Sequence, residues 1–211
     1  MLPETLGLGF IIGLTGAVPP GPMLVAVING ALRHGWRAGP LAVVGHAAVE
    51  LVIFVIIALG LAGAAAAHAL TRPIGVVGGC VLIGFGALTL RGLRHDSPAV
   101  QVESSRHQAL SAVSAGALSS ISNPFFWLWW LTVGAMLVVS GLGYGLVGAA
   151  LFVVGHWGAD LSWYALVSVS LHKGRAIMSP RAMRLVIGAC GTFMMGFGAW
   201  FLWGAASQGA A

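Results

Sequence analysis

Six long apolar stretches follow one another along the chain, with short polar segments between them. They cover residues 5–30, 39–65, 72–92, 109–139, 144–171 and 182–204. A helix that crosses the hydrocarbon core of a bilayer needs about 20 predominantly apolar residues. The pattern therefore predicts an all-α integral membrane protein with six transmembrane helices.

Polar residues are too scarce to cover a soluble globule. Of the 211 residues, 58% are hydrophobic and only 7% are charged, whereas soluble domains carry about 25% charged residues. This composition excludes a soluble enzyme, a nucleic-acid-binding protein and a disordered chain. The longest polar segment, residues 93–108, is predicted to be a loop that separates a first unit (1–92) from a second (109–211).

Basic residues indicate which side of the membrane each loop faces. When successive predicted loops are assigned alternately to the two sides of the membrane, nine of the ten Lys and Arg residues, all except Arg72, fall on one side. Lys and Arg concentrate in cytoplasmic loops, so both the N-terminus and the C-terminus are predicted to lie outside. The basic excess thus serves membrane topology, and we expect no nucleic-acid partner.

The two units repeat one another. Residues 43–51 read VVGHAAVEL and residues 153–161 read VVGHWGADL, and the next predicted helix of each unit contains Gly-Phe-Gly-Ala, at residues 84–87 and 196–199. Each unit has three predicted helices, an odd number, so the second copy enters the membrane from the opposite side. Such inverted repeats are typical of secondary transporters.

Proline interrupts the first predicted helix of each unit. The interruptions consist of Pro19, Pro20, Gly21 and Pro22 in the first unit and of Asn123 and Pro124 in the second. Proline lacks a backbone N–H and clashes with the preceding helical turn. Broken backbone is tolerated at membrane depth only inside protein or against a water-filled cavity. We therefore expect both breaks to contribute to a substrate-binding site.

Two acids lie within predicted spans, each four residues after a histidine. The pairs are His46 with Glu50 and His156 with Asp160. Residues i and i+4 share one helix face, and acids inside a membrane usually mark an ion or substrate path. We predict that all four side chains carry protons, that both acids also bind substrate, and that no metal is required. The same side chains could instead ligate a divalent ion, so a metal-cation exporter remains an alternative.

Other residues carry weaker predictions. Trp127 follows the second break by one turn and is the candidate to stack on a cationic ligand. Cys80 and Cys190 occupy near-equivalent positions, which leaves open a non-transporting redox or assembly component. The nucleophile–base pattern of hydrolases is missing, so we expect neither enzymatic activity nor a cofactor. The small-residue face Gly75-x-x-Gly78 permits a homodimer.

Several of these motifs together resemble the lysine exporter (LysE/RhtB) superfamily of amino-acid exporters. The resemblance rests on Pro20-Gly21-Pro22, the basic turn at 33–39, the glycine-rich segment 78–91 and Asn123-Pro124, and it covers essentially the whole chain. It implies a prokaryotic inner-membrane carrier that uses the proton-motive force to export amino acids or similar small solutes. Basic amino acids are favoured, because two carboxylates inside the membrane can neutralise a cationic side chain.

Overall fold

A computed structural model describes residues 2–60, 64–93, 105–174 and 179–207. Every regular element in these ranges is a helix. The nine α-helices of the described ranges are α1 (Leu2–Ala17), α2 (Pro22–His34), α3 (Ala38–Ala58), α4 (Ala64–Gly92), α5 (Ser105–Ile121), α6 (Pro124–Trp129), α7 (Ala135–Leu142), α8 (Gly145–Gly174) and α9 (Pro180–Ser207). A π-helical segment, Trp130–Gly134, joins α6 to α7.

Among the described residues, five helical segments are each long and apolar enough to cross a membrane. They are Ala38–Ala58, Arg72–Gly92, Pro124–Leu142, Gly145–Gly174 and Arg184–Ser207. The pair α1 and α2 adds a sixth span if the two helices are counted together, although they are bent by 82°. The predicted all-α fold with six spans is therefore confirmed on that count.

The fourth predicted span is interrupted at Asn123 and Pro124, where the sequence predicted a break. Helix α5 begins at Ser105, inside the predicted loop 93–108, and ends at Ile121. The segment Pro124–Leu142 is by itself long enough to be a span. A new helix starts here because the side-chain Oδ1 of Asn123 accepts a hydrogen bond from the backbone N–H of Phe125 at 3.1 Å and caps the helix N-terminus. The rest of the predicted loop, residues 94–104, lies outside the described residues.

The first break is longer than the second. Helix α1 ends at Ala17, and α2 begins after four intervening residues with Pro22 in its first turn, a position where the missing N–H costs nothing. The hydroxyl of Tyr164 on α8 donates a hydrogen bond to the carbonyl oxygen of Ala17 at 3.2 Å. One carbonyl freed by the break thus gains a partner inside the protein.

Helix α1 packs against α8 through glycines. Gly9 lies so close to the carbonyl oxygen of Phe152 that no Cβ fits, and Gly155 lies equally close to the carbonyl oxygen of Leu6. Small residues of this kind let two helix backbones approach without intervening side chains. The crossing therefore depends on glycine at both positions.

Helix α3 packs against α5 in the same manner. Gly45 leaves no room for a Cβ against the carbonyl oxygen of Val113, and Gly116 leaves none against that of Ala42. Gly45 and Gly155 each precede the histidine of a Val-Val-Gly-His sequence. The first helix of each repeat thus crosses the second helix of the other repeat, at corresponding glycines.

Helices α4 and α9 meet each other reciprocally. An added Cβ on Gly79 would lie 2.8 Å from the carbonyl oxygen of Gly198, and one on Gly86 would lie 2.6 Å from that of Gly191. Gly86 and Gly198 are the matching glycines of the two Gly-Phe-Gly-Ala sequences. The two contacts are therefore equivalent when α4 and α9 are exchanged, as expected if a two-fold axis relates the halves.

Candidate functional site

The two intramembrane acids face one cavity at the centre of the bundle. Glu50 on α3 and Asp160 on α8 are each only 1% exposed. The cavity has a volume of about 30 Å³, which is room for one or two water molecules. The described residues that line it are Gly16, Met23, His46, Glu50, Ser120, Asn123, Phe125, Phe126, Trp129, Trp130, His156, Asp160 and Tyr164.

Both histidines point a ring nitrogen at Glu50. The Nε2 atom of His46 lies 3.0 Å from Oε1 of Glu50, and the Nε2 atom of His156 lies 2.8 Å from the same oxygen. His46 shares α3 with Glu50, whereas His156 comes from α8. The spacing of four residues indicated only the contact within each helix, so the contact between helices is a finding of the structure.

Asp160 is held more loosely than Glu50. Its Oδ2 atom lies 3.4 Å from Nε2 of His156 and 3.8 Å from Nε2 of His46. That oxygen and Oε2 of Glu50 are both buried without a hydrogen-bond partner among the described residues. Buried charged oxygens are costly unless paired, so the cluster has unused capacity for a proton or a cation.

Trp130 supplies a third donor to Glu50. Its indole N–H donates to Oε1 of Glu50 at 3.0 Å, and the residue is 1% exposed. The neighbouring Trp129 stacks on the ring of His156, with centroids 4.7 Å apart. Trp130 also begins the π-helical segment, and such segments are frequent at functional sites. The aromatic run was visible in the sequence, but its inward-facing members were not.

Trp127 does not line the cavity. Its indole N–H donates to the carbonyl oxygen of Ile121 at 2.7 Å, and its side chain lines an apolar groove with Pro73 and Val77 of α4. Phe126, Trp129 and Trp130 are spaced as i, i+3 and i+4 and so share a helix face. Trp127 lies on a different face, which is why the sequence-based choice of tryptophan missed the cavity.

Ser120 holds the second nitrogen of His46. The hydroxyl oxygen lies 2.5 Å from Nδ1 of His46 and donates its own proton to the carbonyl oxygen of Gly116 at 2.8 Å. Because that proton is engaged, Nδ1 of His46 carries the hydrogen and donates it to Ser120. No motif pointed to Ser120, which lies on α5 and 74 residues from His46.

His156 lacks the corresponding partner. Its Nδ1 atom is buried with no hydrogen-bond partner in the described part of the chain. Gly13 of α1 occupies the matching place, since a Cβ added to it would lie 2.8 Å from that nitrogen. Gly13 follows Gly9 by four residues, as Ser120 follows Gly116. The two halves therefore share a framework but differ at this one contact.

The structure brings the two helix breaks together. A Cβ added to Gly21 would lie 3.6 Å from the amide nitrogen of Asn123. Asn123 lines the cavity, together with Gly16 and Met23, which flank the first break. Of the other predicted break residues, Pro22 and Pro124 are buried and Pro19 and Pro20 are partly buried, but none of them lines the cavity.

Two sequence-based alternatives can be located. The ligating atoms of His46, Glu50 and Asp160 all lie within 4.8 Å of one another, close enough to hold one metal ion. Cys80 on α4 and Cys190 on α9 are free thiols and are not among the residues that line the cavity. The site therefore contains metal-ligand chemistry but no thiol chemistry.

Comparison with known proteins gives one result. A sequence profile described as "LysE type translocator" matches residues 14–204. No curated protein and no solved structure matches the chain significantly.

Proposed function

The chain belongs to the LysE type translocator family, and from this premise we propose that it is a secondary transporter that exports amino acids or similar small solutes in exchange for protons. The family is one of transporters rather than enzymes, and the chain is a multi-pass membrane protein. Basic amino acids are the leading substrate class within this proposal. The described residues that line the cavity include two acids but no Lys or Arg.

The observation that carries the proposal is the meeting of the two acid–imidazole pairs. Glu50 and Asp160 come from corresponding helices of the two halves, yet they lie against the same pair of histidines. Buried ionisable groups inside a membrane protein are expensive and typically lie on ion or substrate pathways. A purely structural polar contact would not need four such side chains around one cavity.

Asp160 is the proposed group that exchanges its proton for the cationic part of the solute. Oε1 of Glu50 has three ring nitrogens within 3.0 Å, whereas the nearest histidine nitrogen to Oδ2 of Asp160 lies at 3.4 Å. Glu50 therefore acts as the fixed anchor in this mechanism. The α-carboxylate of an amino acid would bind near Met23, where the start of α2 has no side-chain cap and helix N-termini favour anions.

Alternating access would come from rocking of two helix bundles about the cavity. The glycine crossings pack α1 against α8 and α5 against α3, so each moving bundle would combine helices from both inverted repeats, 1–92 and 109–211. The proposal places the protein in the inner membrane of a prokaryote, with both termini outside. Within the chain, Gly75 packs against Ala205 and Gly78 packs against Pro124, so a homodimer would have to use a surface other than the predicted Gly75-x-x-Gly78 face.

Transport from loaded vesicles tests the function. Purified protein is reconstituted with a panel of basic, neutral and acidic amino acids inside, and efflux is followed under an imposed pH gradient. We expect efflux of at least one solute that depends on the gradient and is lost in Asp160→Asn. Glu4→Gln removes a charge from an exposed position at the start of α1 and is the matched control. Gradient-independent efflux, or none for any solute, would contradict the proposal.

Reporter fusions test the topology separately. A reporter at Gly141, at the end of α7, and another at the C-terminus are both expected to show an external location. The basic turn between α2 and α3 is expected on the cytoplasmic side. A cytoplasmic signal from either external fusion would overturn the assigned orientation without bearing on the substrate.

A further inference from the structure

We propose that His46, Glu50, His156 and Asp160 form a binding site for one divalent transition-metal ion. This inference goes beyond amino-acid export and rests on the geometry of the cluster, whichever solute the protein carries. A bound ion would occupy the same oxygen of Asp160 that the proposed substrate uses. Metal and exported solute would therefore compete for the cavity.

The distances between the side chains fit a metal. Zn²⁺ binds His nitrogen and carboxylate oxygen at about 2.0–2.2 Å in tetrahedral sites, so ligand atoms lie about 3.3–3.6 Å apart. Here the histidine nitrogens lie 3.0 and 2.8 Å from Oε1 of Glu50 and 3.8 and 3.4 Å from Oδ2 of Asp160. These four separations lie on both sides of the tetrahedral value, and the ligand atoms of His46, Glu50 and Asp160 all lie within 4.8 Å of one another. His156 is not part of that three-residue group, and it would become the fourth ligand by a rotation of its side chain toward the ion.

The charge of the cluster also favours a divalent cation. Glu50 and Asp160 contribute two negative charges when ionised, and no Lys or Arg is among the described residues that line the cavity. Both acids retain a buried oxygen without a hydrogen-bond partner in the described ranges. Buried charges inside a membrane protein require partners. One M²⁺ ion between two neutral imidazoles would neutralise the site and satisfy these oxygens.

Neighbouring residues orient the ligands as they do in known metal sites. A metal-bound histidine typically donates its other ring N–H to an oxygen, and ligating carboxylates are themselves hydrogen-bonded. His46 donates from Nδ1 to Ser120, and Glu50 accepts from the indole of Trp130. Trp129 packs flat on His156 and restricts its rotation. The nitrogens that remain directed at the cavity are the two Nε2 atoms.

The donor set indicates the class of ion. Two imidazoles and two carboxylates suit Zn²⁺, Mn²⁺, Co²⁺ or Ni²⁺. Mg²⁺ and Ca²⁺ prefer more oxygen ligands than this site provides, and Cu(I) prefers the thiolates or thioethers of softer sites. Met23 is the only sulfur-containing residue among the described cavity residues. Borderline first-row divalent ions are therefore the expected ligands.

Cobalt titration tests the site directly. The purified full chain in detergent is stripped with chelator and titrated with Co²⁺, whose visible absorption reports coordination by nitrogen and oxygen. We expect saturation at one equivalent per chain and displacement by Zn²⁺. His46→Ala and Asp160→Asn should abolish the signal. Ser120→Ala should weaken affinity by about 10–100-fold, because it removes only the group that orients His46.

His172→Ala is the matched control, because His172 lies near the end of α8 and outside the cavity. It should leave Co²⁺ affinity unchanged. Size-exclusion profiles confirm that each variant is folded, and His46→Gln replaces His46→Ala if the alanine variant aggregates. An absent one-equivalent signal in the wild-type protein would overturn the proposal. So would a signal that survives in both ligand variants, since the ion would then be bound elsewhere.

The metal result and the transport result can fail independently. Loss of Co²⁺ binding with intact gradient-driven efflux rejects the metal site and leaves the exporter proposal standing. Co²⁺ binding without amino-acid efflux supports the metal site and rejects the exporter proposal. If both hold, Zn²⁺ in the efflux assay should inhibit wild-type transport, and the inhibition should reverse with chelator.

Discussion

The two halves of the cavity are built on matching helix crossings but hold their histidines differently. His46 in the first half donates from Nδ1 to Ser120. His156 in the second half faces Gly13 at the matching place, and its Nδ1 has no partner among the described residues. Its ring is instead covered by Trp129 at 4.7 Å.

This difference shows which features of a duplicated site are constrained by packing. The glycines at the helix crossings recur in both halves because carbonyl oxygens of the neighbouring helix leave no space for a Cβ. One turn after the crossing glycine, α5 has room for Ser120, whereas α1 has Gly13 at the matching position. The repeat therefore conserves the framework while the two acid–imidazole pairs become chemically inequivalent.

Removing either acid is expected to have the largest effect. Glu50→Gln and Asp160→Asn should each reduce gradient-driven efflux to background, because neither amide can exchange a proton. Efflux from reconstituted vesicles is the measurement, with Glu4→Gln as the control. Wild-type flux in both variants would remove the proposed role of the acids. Unequal loss would show how far the two halves have diverged.

Replacing the crossing glycine by valine should destabilise the protein to the same extent in the two halves. Gly45→Val and Gly155→Val each force a side chain against a neighbouring carbonyl, and overpacking of this kind typically costs about 1–3 kcal/mol. Gly84→Val and Gly196→Val are matched controls, because nothing lies within 4 Å of a Cβ at either position. Thermal unfolding in detergent is the measurement. A crossing variant as stable as its control would contradict the packing argument.

Comparing variants of Trp130 and Trp127 should show that contacts inside the cavity affect efflux more than contacts outside it. Trp130→Phe removes one hydrogen bond to Glu50, and hydrogen bonds to charged groups contribute about 1.5–3 kcal/mol. We expect at least a tenfold fall in efflux. Trp127→Phe removes only the bond to the carbonyl of Ile121 and should leave efflux within about twofold. Equal losses in the two variants would mean that the acid is not oriented by Trp130.

Variants of Ser120 test the asymmetry between the two histidines and have the smallest expected effect. Ser120→Ala leaves the ring N–H of His46 without a partner and should lower the free energy of unfolding by about 1–2 kcal/mol. Ser120→Thr should restore most of this, because it keeps the hydroxyl. The thermal denaturation midpoint in detergent is the readout. A Ser120→Ala variant with unchanged stability would indicate that the two histidines are held equivalently.

The sequence by itself determined the features that act locally. Long apolar stretches, prolines without an N–H, and a histidine four residues before an acid specify spans, breaks and shared helix faces whatever surrounds them. The repeated Val-Val-Gly-His and Gly-Phe-Gly-Ala sequences also indicated that two similar units would be built. Each of these inferences needs only residues within one helix, or a comparison between two.

Tertiary structure decided what meets in the cavity. The contact of His156 with Glu50, the bond from Ser120 to His46, and the choice of Trp130 over Trp127 join residues far apart in the chain or depend on how a helix is rotated. That rotation is set by glycine crossings between different halves and by the π-helical segment after Trp129. Local patterns carry no information about it, because it arises only when the helices pack together.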